Sequence, residues 1–516
     1  MKKLLLCIVV ILLIGNAAFG KEIYTEPYLV SLTPSQSMNV IWLTGERAEE
    51  AWVDFGETEQ YNQKMNANQF EIKGLRRSAG SDGYDVVPEN NPEVPVFQQI
   101  GELKNLKPAT KYFYRVTTKI GGETIVGSAY HFKTAPAPNS DAPFKFVLIS
   151  DLQQRIQIMD TIRLAGKQNA DFILYAGDLQ NTPWKIGEWF PVEDCFIAPE
   201  ENGKEWFTAM QQTQDSTQLL QYMPIFPVPG NHEADDQRIW SDKEIAKDAS
   251  KKTMSIYFQL FRPLYPEQQA ELKGKHWYST DYGNLHIIGL SLFRSYGLWD
   301  AYEAPGWMLF DDIAPGSPQI IWLENDLKNK NNQYTWVVQH WHMINRGADG
   351  WTPMSEPMID PANPERMVYP FGDHCWNVLR PLYEKYGVNA VNFGHSHVYE
   401  RYLINKVNYI EAATLGNNYR GEDDPMHFSG AVPIVEQNEF RSFLIVASTA
   451  ESLSAKAIRA SDDGGGSTKV GEAFDEFVIA TPGIVPVEDD VGCDAGVGFA
   501  IIVIFAILML YTKENN

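Results

Sequence analysis

In FKFVLISD, residues 144–151, an apolar run stops on an aspartate, and the chain repeats that construction four more times. ADFILYAGD (170–178) ends on Asp178, MPIFPVPGNH (223–232) on Asn231 and His232, TWVVQH (335–340) on His340, and NAVNFGHSH (389–397) on His395 and His397. Runs rich in Val, Ile, Leu and Phe without polar alternation read as strands buried on both faces of a parallel or mixed sheet. In such sheets ligands bind just beyond the carboxyl ends of the strands. A lone Asp or His there is ordinarily a helix cap or a satisfied core histidine. Two carboxylates, one amide and three imidazoles arriving together are not explained that way. The pattern implies a two-metal hydrolase.

Around this centre the chain divides. A length of 516 residues is too great for one core and predicts at least two domains. Residues 144–480 alternate strands with helical stretches such as IIWLENDLKNK and CWNVLRPLYEKYG, which predicts a mixed α/β catalytic domain. Residues 21–134 are β-like, with strands such as MNVIWLT, EAWVDFG, TKYFYRVTT and SAYHFKT. APAPNSDAP (135–143) is a linker held extended by Pro136, Pro138 and Pro143. Thr182–Tyr222, polar and carrying Trp184, Trp189 and Trp206, reads as an insertion beside the active-site mouth, and Asn345–Gly372 as an irregular cover.

The ends carry their own signals. Lys2 and Lys3, the apolar run Leu4–Ile14 and the small residues Ala17, Ala18 and Gly20 read as a signal peptide over residues 1–20, so export is expected. An acidic, proline-bearing linker (481–494) precedes the apolar run 495–511, which is expected to be a C-terminal membrane anchor on the extracytoplasmic face. Gly492-Cys493 before it resembles bacterial C-terminal sorting signals, although the basic tail is meagre. The net charge of −23 argues against nucleic acid as a partner. Of four cysteines only Cys195 and Cys375 are placed to pair within the body, and sequence leaves that pairing open. No thiol nucleophile is read, because Arg380 stands one residue short of the Cys-x5-Arg spacing.

Taken together, SD151LQ, GD178LQN, GN231H232E, VVQH340 and GH395SH397VYER resemble the five blocks of the calcineurin-like metallophosphoesterases. The VYER ending, WYSTDYGNLHIIGLS (277–291) and QIIWLENDL (319–327) narrow the resemblance to the purple acid phosphatase branch. Leu106-Lys-Pro-Ala-Thr-Lys-Tyr112 resembles the tyrosine corner of fibronectin type III sandwiches. The resemblance implies a fibronectin III-like β-sandwich followed by an αββα sandwich with mixed sheets. It also implies a bridging Asp178, a first metal site completed by Asp151 and His397, and a second by Asn231, His340 and His395. His232 would bind phosphate or protonate the leaving oxygen.

Two departures stand out. Where the purple enzymes place an iron-binding tyrosine, three residues after the bridging aspartate, stands Asn181. Where many relatives have a histidine two residues after the first aspartate stands Gln153. Either amide would serve as a neutral ligand, so two divalent ions (Fe, Mn or Zn) and a colourless protein are expected. Tyr175 lies inside a strand and is expected to pack away from the metals. His342 and His374 are equally readable as phosphate-binding groups or as ordinary histidines, and Glu400 with Arg401 as a buried pair. The expected activity is hydrolysis of small phosphate monoesters by attack of a metal-bound hydroxide. A diesterase or nucleotide hydrolase on the same metals, or a surface binding protein with a vestigial site, remain alternatives, and the oligomeric state is open.

Overall fold

The computed structural model describes residues 23–480 apart from 78–92, 154–157, 191–204, 212–217, 235–254, 267–274, 293–312, 342, 344–357, 361–362, 369–374, 396, 412–432, 438 and 463–466. The expected signal peptide, linker 481–494, anchor, His342, His374 and Cys195 lie outside these residues, as do the side chain of Cys375 and most of the cover 345–372. Among the described residues no helix is long and apolar enough to cross a membrane.

The N-terminal part is a β-sandwich. One sheet orders the strands Tyr28–Val30, Met38–Thr44, Val96–Leu103 and Asn68–Ile72; the other runs Gln63–Asn66, Glu50–Gly56, Lys111–Ile120 and Glu123–Val126, with Tyr130–Lys133 also paired to Lys111–Ile120. Alternation puts Val40, Trp42, Val53, Phe55, Tyr112 and Tyr114 into one buried cluster between the sheets. The tyrosine corner forms as expected: the Lys107 N–H donates to the Tyr112 hydroxyl at 3.0 Å.

Two further sheets make the second part. A six-stranded sheet orders Ile225–Pro227, Phe172–Tyr175, Phe144–Ile149, Ser442–Ser448, Ser452–Arg459 and Ala473–Ala480; its first three strands are parallel and the rest antiparallel. A seven-stranded sheet orders Tyr278–Tyr282, Leu285–Gly289, Tyr334–Val338, Ala390–Phe393, Val407–Glu411, Tyr399–Ile404 and Val435–Gln437, parallel through its middle. The sheets pack through aromatic side chains. Phe146 stacks on Phe172 at 4.9 Å and meets Trp336 edge-on at 5.2 Å. Such pairs add about 0.5–1.5 kcal/mol each beyond the area they bury. Trp336 keeps its N–H satisfied by Asn392 Oδ1 at 2.8 Å, so the ring is buried at no polar cost. On the outer face of the seven-stranded sheet, the helix Pro318–Asn329 buries Ile320, Leu323 and Leu327 against Ile288, Val337 and Val391.

In the described part of the Thr182–Tyr222 segment, Trp184, Trp189 and Trp206 are at most 1% exposed and join the main core with Tyr28 of the sandwich. The segment's backbone is stitched to Arg76, with Arg76 N bonded to Trp184 O and Ile186 N to Arg76 O. Its tryptophan face binds the sandwich to the catalytic part. Arg401 does not pair with Glu400. Neighbours on a strand face opposite sides, so Arg401 reaches Asp475 on the last strand, at 2.6 and 2.9 Å, while Tyr402 donates to Glu400.

Candidate metal centre

All six expected ligands stand two to four residues beyond the ends of their strands, where the chain leaves the sheet. Asp151, Asp178, His395 and His397 adopt left-handed backbone conformations, with φ of 55°, 58°, 78° and 59°. That region costs an L-residue roughly 1–2 kcal/mol, a strain that clusters at functional sites. The glycines beside them allow the crowding. A side chain at Gly230 would strike the Asp178 carboxylate, and one at Gly394 would strike Asp151 Oδ2.

The side chains converge into two groups of donor atoms, Asp151–Asp178–His397 and Asp178–His340–His395, each with its atoms within 4.8 Å of one another. Asp178 belongs to both. His340 Nε2 lies 3.2 Å from Asp178 Oδ2 and 3.0 Å from Asn231 Oδ1, and His395 Nδ1 lies 2.8 Å from the same Asn231 oxygen. His397 Nε2 lies 3.5 Å from Asp151 Oδ1. His340 is oriented from behind: its Nδ1 donates to Ala176 O at 2.7 Å, which turns Nε2 toward the cluster. His395 is held by Trp341, stacked on its ring at 4.0 Å.

The donor set suits hard or borderline divalent ions, with oxygen and nitrogen only. Asp151 Oδ2 is buried and has no hydrogen-bond partner among the described residues, though the other carboxylate oxygen accepts from His395 N at 3.0 Å. A buried, unsatisfied carboxylate oxygen is costly unless a cation meets it. The residues therefore fit a pair of metal ions. Burial alone would raise Asp178, but His340 and His232 outweigh it and hold the carboxyl well below its usual range. Burial opposes a charged His340, yet Asp178 lifts it to about 9.

The departures are also placed. Gln153 Nε2 donates to Asp178 Oδ2 at 3.0 Å, and Asn181 Nδ2 donates to Gln153 O at 3.1 Å, so both amides brace the site in this arrangement. Tyr175 is buried, and its hydroxyl accepts from Leu152 N at 3.2 Å, as its place inside a strand requires. His232 donates its backbone N–H to Asp178 Oδ1 at 2.9 Å; its ring Nδ1 sits 3.1 Å from Asn181 O and its Nε2 3.9 Å from Asp178 Oδ2.

One residue of the site was missed. Glu233, the last letter of GNHE, is fully buried and its carboxylate accepts three backbone N–H groups: Gly230 at 2.6 Å, Asp178 at 3.0 Å and Leu179 at 2.8 Å. It clamps the Asp178 turn to the Asn231 turn. Burial and the charge on Asp178 push it up to about 7 against the pull of those N–H groups. Its position directly after Asn231 and His232 was the available signal.

Comparison with known proteins gives a consistent picture. Residues 144–399 match the calcineurin-like phosphoesterase family and residues 25–134 the purple acid phosphatase N-terminal domain. The chain is 24% identical over 311 residues to purple acid phosphatase 15 of Arabidopsis thaliana, covering 58% of this chain and 48% of that protein. It is 23% identical over 358 residues to probable inactive purple acid phosphatase 27 of the same plant, covering 65% and 47%. The chain thus spans about half the length of the curated relatives it matches. Its fold is similar to that of purple acid phosphatase PPD1 from yellow lupin, with a TM-score of 0.62 at 18% identity over 88% of this chain and 74% of that one.

Proposed function

We propose that this chain, which belongs to the calcineurin-like phosphoesterases and carries a purple acid phosphatase N-terminal domain, hydrolyses phosphate monoesters with two divalent metal ions. The observation that carries this reading is Asp178 shared by two donor groups, beside the unpartnered Asp151 Oδ2. Asp151, Asp178 and His397 would hold one ion; Asp178, Asn231, His340 and His395 the other. When bound, such a pair supplies Lewis-acid polarisation of the phosphoryl oxygens and activation of a water.

The chain's own residues do the rest. Glu233 fixes the two turns that carry Asp178 and Asn231. Gln153 Nε2 donates to Asp178 Oδ2 at 3.0 Å and steadies the carboxylate that the two ions would share. His232 donates Nδ1–H to Asn181 O and presents Nε2 beside the cluster; as the imidazolium, protonated at Nε2 from solvent, it is placed to hold a phosphoryl oxygen and to give that proton to the leaving oxygen. The ligand side chains of Asp151, Asp178 and His340 are buried, while His232, with 19% of its side chain exposed, keeps contact with solvent.

The expected substrate is a small phosphorylated molecule. Export and a C-terminal membrane tether form part of the same reading and rest on residues 1–20 and 495–511 of the sequence alone. The test is an assay of the chelated, then metal-supplemented protein on a chromogenic phosphate monoester and its diester counterpart. Metal-dependent turnover of the monoester above the diester supports the reading. Preference for the diester, or no turnover with manganese, zinc or iron(II), overturns it.

A further inference from the structure

Glu188 lies on the short helical turn Ile186–Trp189, is 6% exposed and has no part in the reaction as described above. A carboxylate is seldom buried without a specific partner. Here Thr182 N–H donates to Glu188 Oε2 at 2.5 Å, and burial pushes the carboxyl up to about 7 against the pull of the Lys185 charge and that N–H. That N–H belongs to the same planar, trans peptide group as the carbonyl of Asn181, so the two point to opposite sides. On the far side, Asn181 O meets His232 Nδ1 at 3.1 Å. A chain of contacts thus runs from a buried carboxylate, through one peptide group, to the ring beside the candidate metal centre.

The direction of the chain is set by chemistry. A carbonyl only accepts, so His232 Nδ1 is the donor, and Nε2 is the nitrogen turned toward Asp178. A carboxylate drawing on the Thr182 N–H polarises the peptide and strengthens Asn181 O as an acceptor, by roughly 10–30% per bond in such chains. The Asn181–Thr182 turn is pinned on two more sides, by Asn181 Nδ2 to Gln153 O and by Lys185 N to Thr182 O, both at 3.1 Å.

We propose that Glu188 is a positioning residue that acts on His232 through the Asn181–Thr182 peptide, fixing the proton on Nδ1 and the outward face of Nε2. The kinetic part of this inference rests on the phosphatase reading; the tautomer part does not. It assigns to the tryptophan-bearing segment a task beyond packing.

The tautomer is read directly by nitrogen-15 NMR of the full chain with labelled histidine. Wild type is expected to show His232 protonated at Nδ1, with Glu188→Gln retaining that state, since its amide oxygen still accepts from Thr182. Glu188→Ala is expected to move the ring toward a mixture of tautomers. Glu188→Asp, which withdraws the carboxylate by one methylene, gives the same reading if the alanine variant does not fold. In the metal-loaded protein, kcat should fall about 10- to 100-fold in Glu188→Ala, with KM and metal content unchanged, and substantially recover in Glu188→Gln. In a His232→Ala background the same substitution should cost nothing further. An unchanged His232 tautomer in Glu188→Ala and Glu188→Asp overturns the proposal, and so does an undiminished loss of activity in the His232→Ala background. A tautomer shift in Glu188→Ala or Glu188→Asp, with a wild-type protein that hydrolyses no phosphate ester, would support the positioning and remove only the phosphatase reading.

Discussion

Replacing Glu233 by glutamine tests whether the turns of the centre are held from within. The substitution preserves volume and replaces one carboxylate oxygen by an NH2 group. Three backbone N–H groups point at that carboxylate, two of them at Oε2 and one at Oε1. The better amide orientation keeps oxygen against Gly230 and Asp178 and sets NH2 against the Leu179 N–H. Two buried donors are then unsatisfied, each costing about 1–3 kcal/mol. Relief of the repulsion between Glu233 and Asp178 offsets part of this, so a net loss of about 2–4 kcal/mol is expected. Urea unfolding of the metal-free protein, followed by the fluorescence of the buried tryptophans, reads the change as a lower midpoint at unchanged slope. Affinity for metal should fall as well, because the Asp178 turn loses its anchor. A stability within about 0.5 kcal/mol of wild type would show that the clamp contributes little, and the reasoning would fail.

Three further outcomes are expected. His232→Ala should keep its metal content while kcat falls by about 10²–10⁴; loss of metal would make His232 a ligand. The purified protein should be colourless, with Asn181 where an iron-binding tyrosine would stand and Tyr175 turned to Leu152 N; an intense visible charge-transfer band would contradict this. His286 is held between Asp281 at 2.7 Å and Asp326 at 2.8 Å, and although burial opposes its charge these partners lift it to about 9. A histidine raised in the folded state stabilises fully below its unfolded pKa and loses that contribution as pH rises through the folded value. The stability advantage of wild type over His286→Gln, about 3 kcal/mol by linkage, should therefore be greatest below pH 6.5 and shrink toward pH 9; an advantage constant across that window would refute it.

What sequence could show depended on whether the signal was local. Asp151, Asp178, Asn231, His340, His395 and His397 stood out because buried strands are unmistakable runs, and a polar residue just past each one has few reasons to be there. The tyrosine corner was legible because Lys107 and Tyr112 lie within one turn. The packing of the three tryptophans of the 182–222 segment was not legible, because the face they form exists only against the sandwich. Arg401 finds Asp475 across 74 positions, and Glu233 reaches back 54 and 55 positions to Leu179 and Asp178. Such pairings follow from which sheets stack, and no periodicity records them.

The central claim is that Asp178 joins two metal sites. Elemental analysis of the chelated protein after titration with manganese, zinc or iron(II), run in parallel on Asp178→Asn, tests it most directly. The account predicts two ions bound per wild-type chain, at most one in the variant, and hydrolysis of a phosphate monoester only in the first. Two ions retained in Asp178→Asn, or a wild-type chain that binds only one, would contradict it.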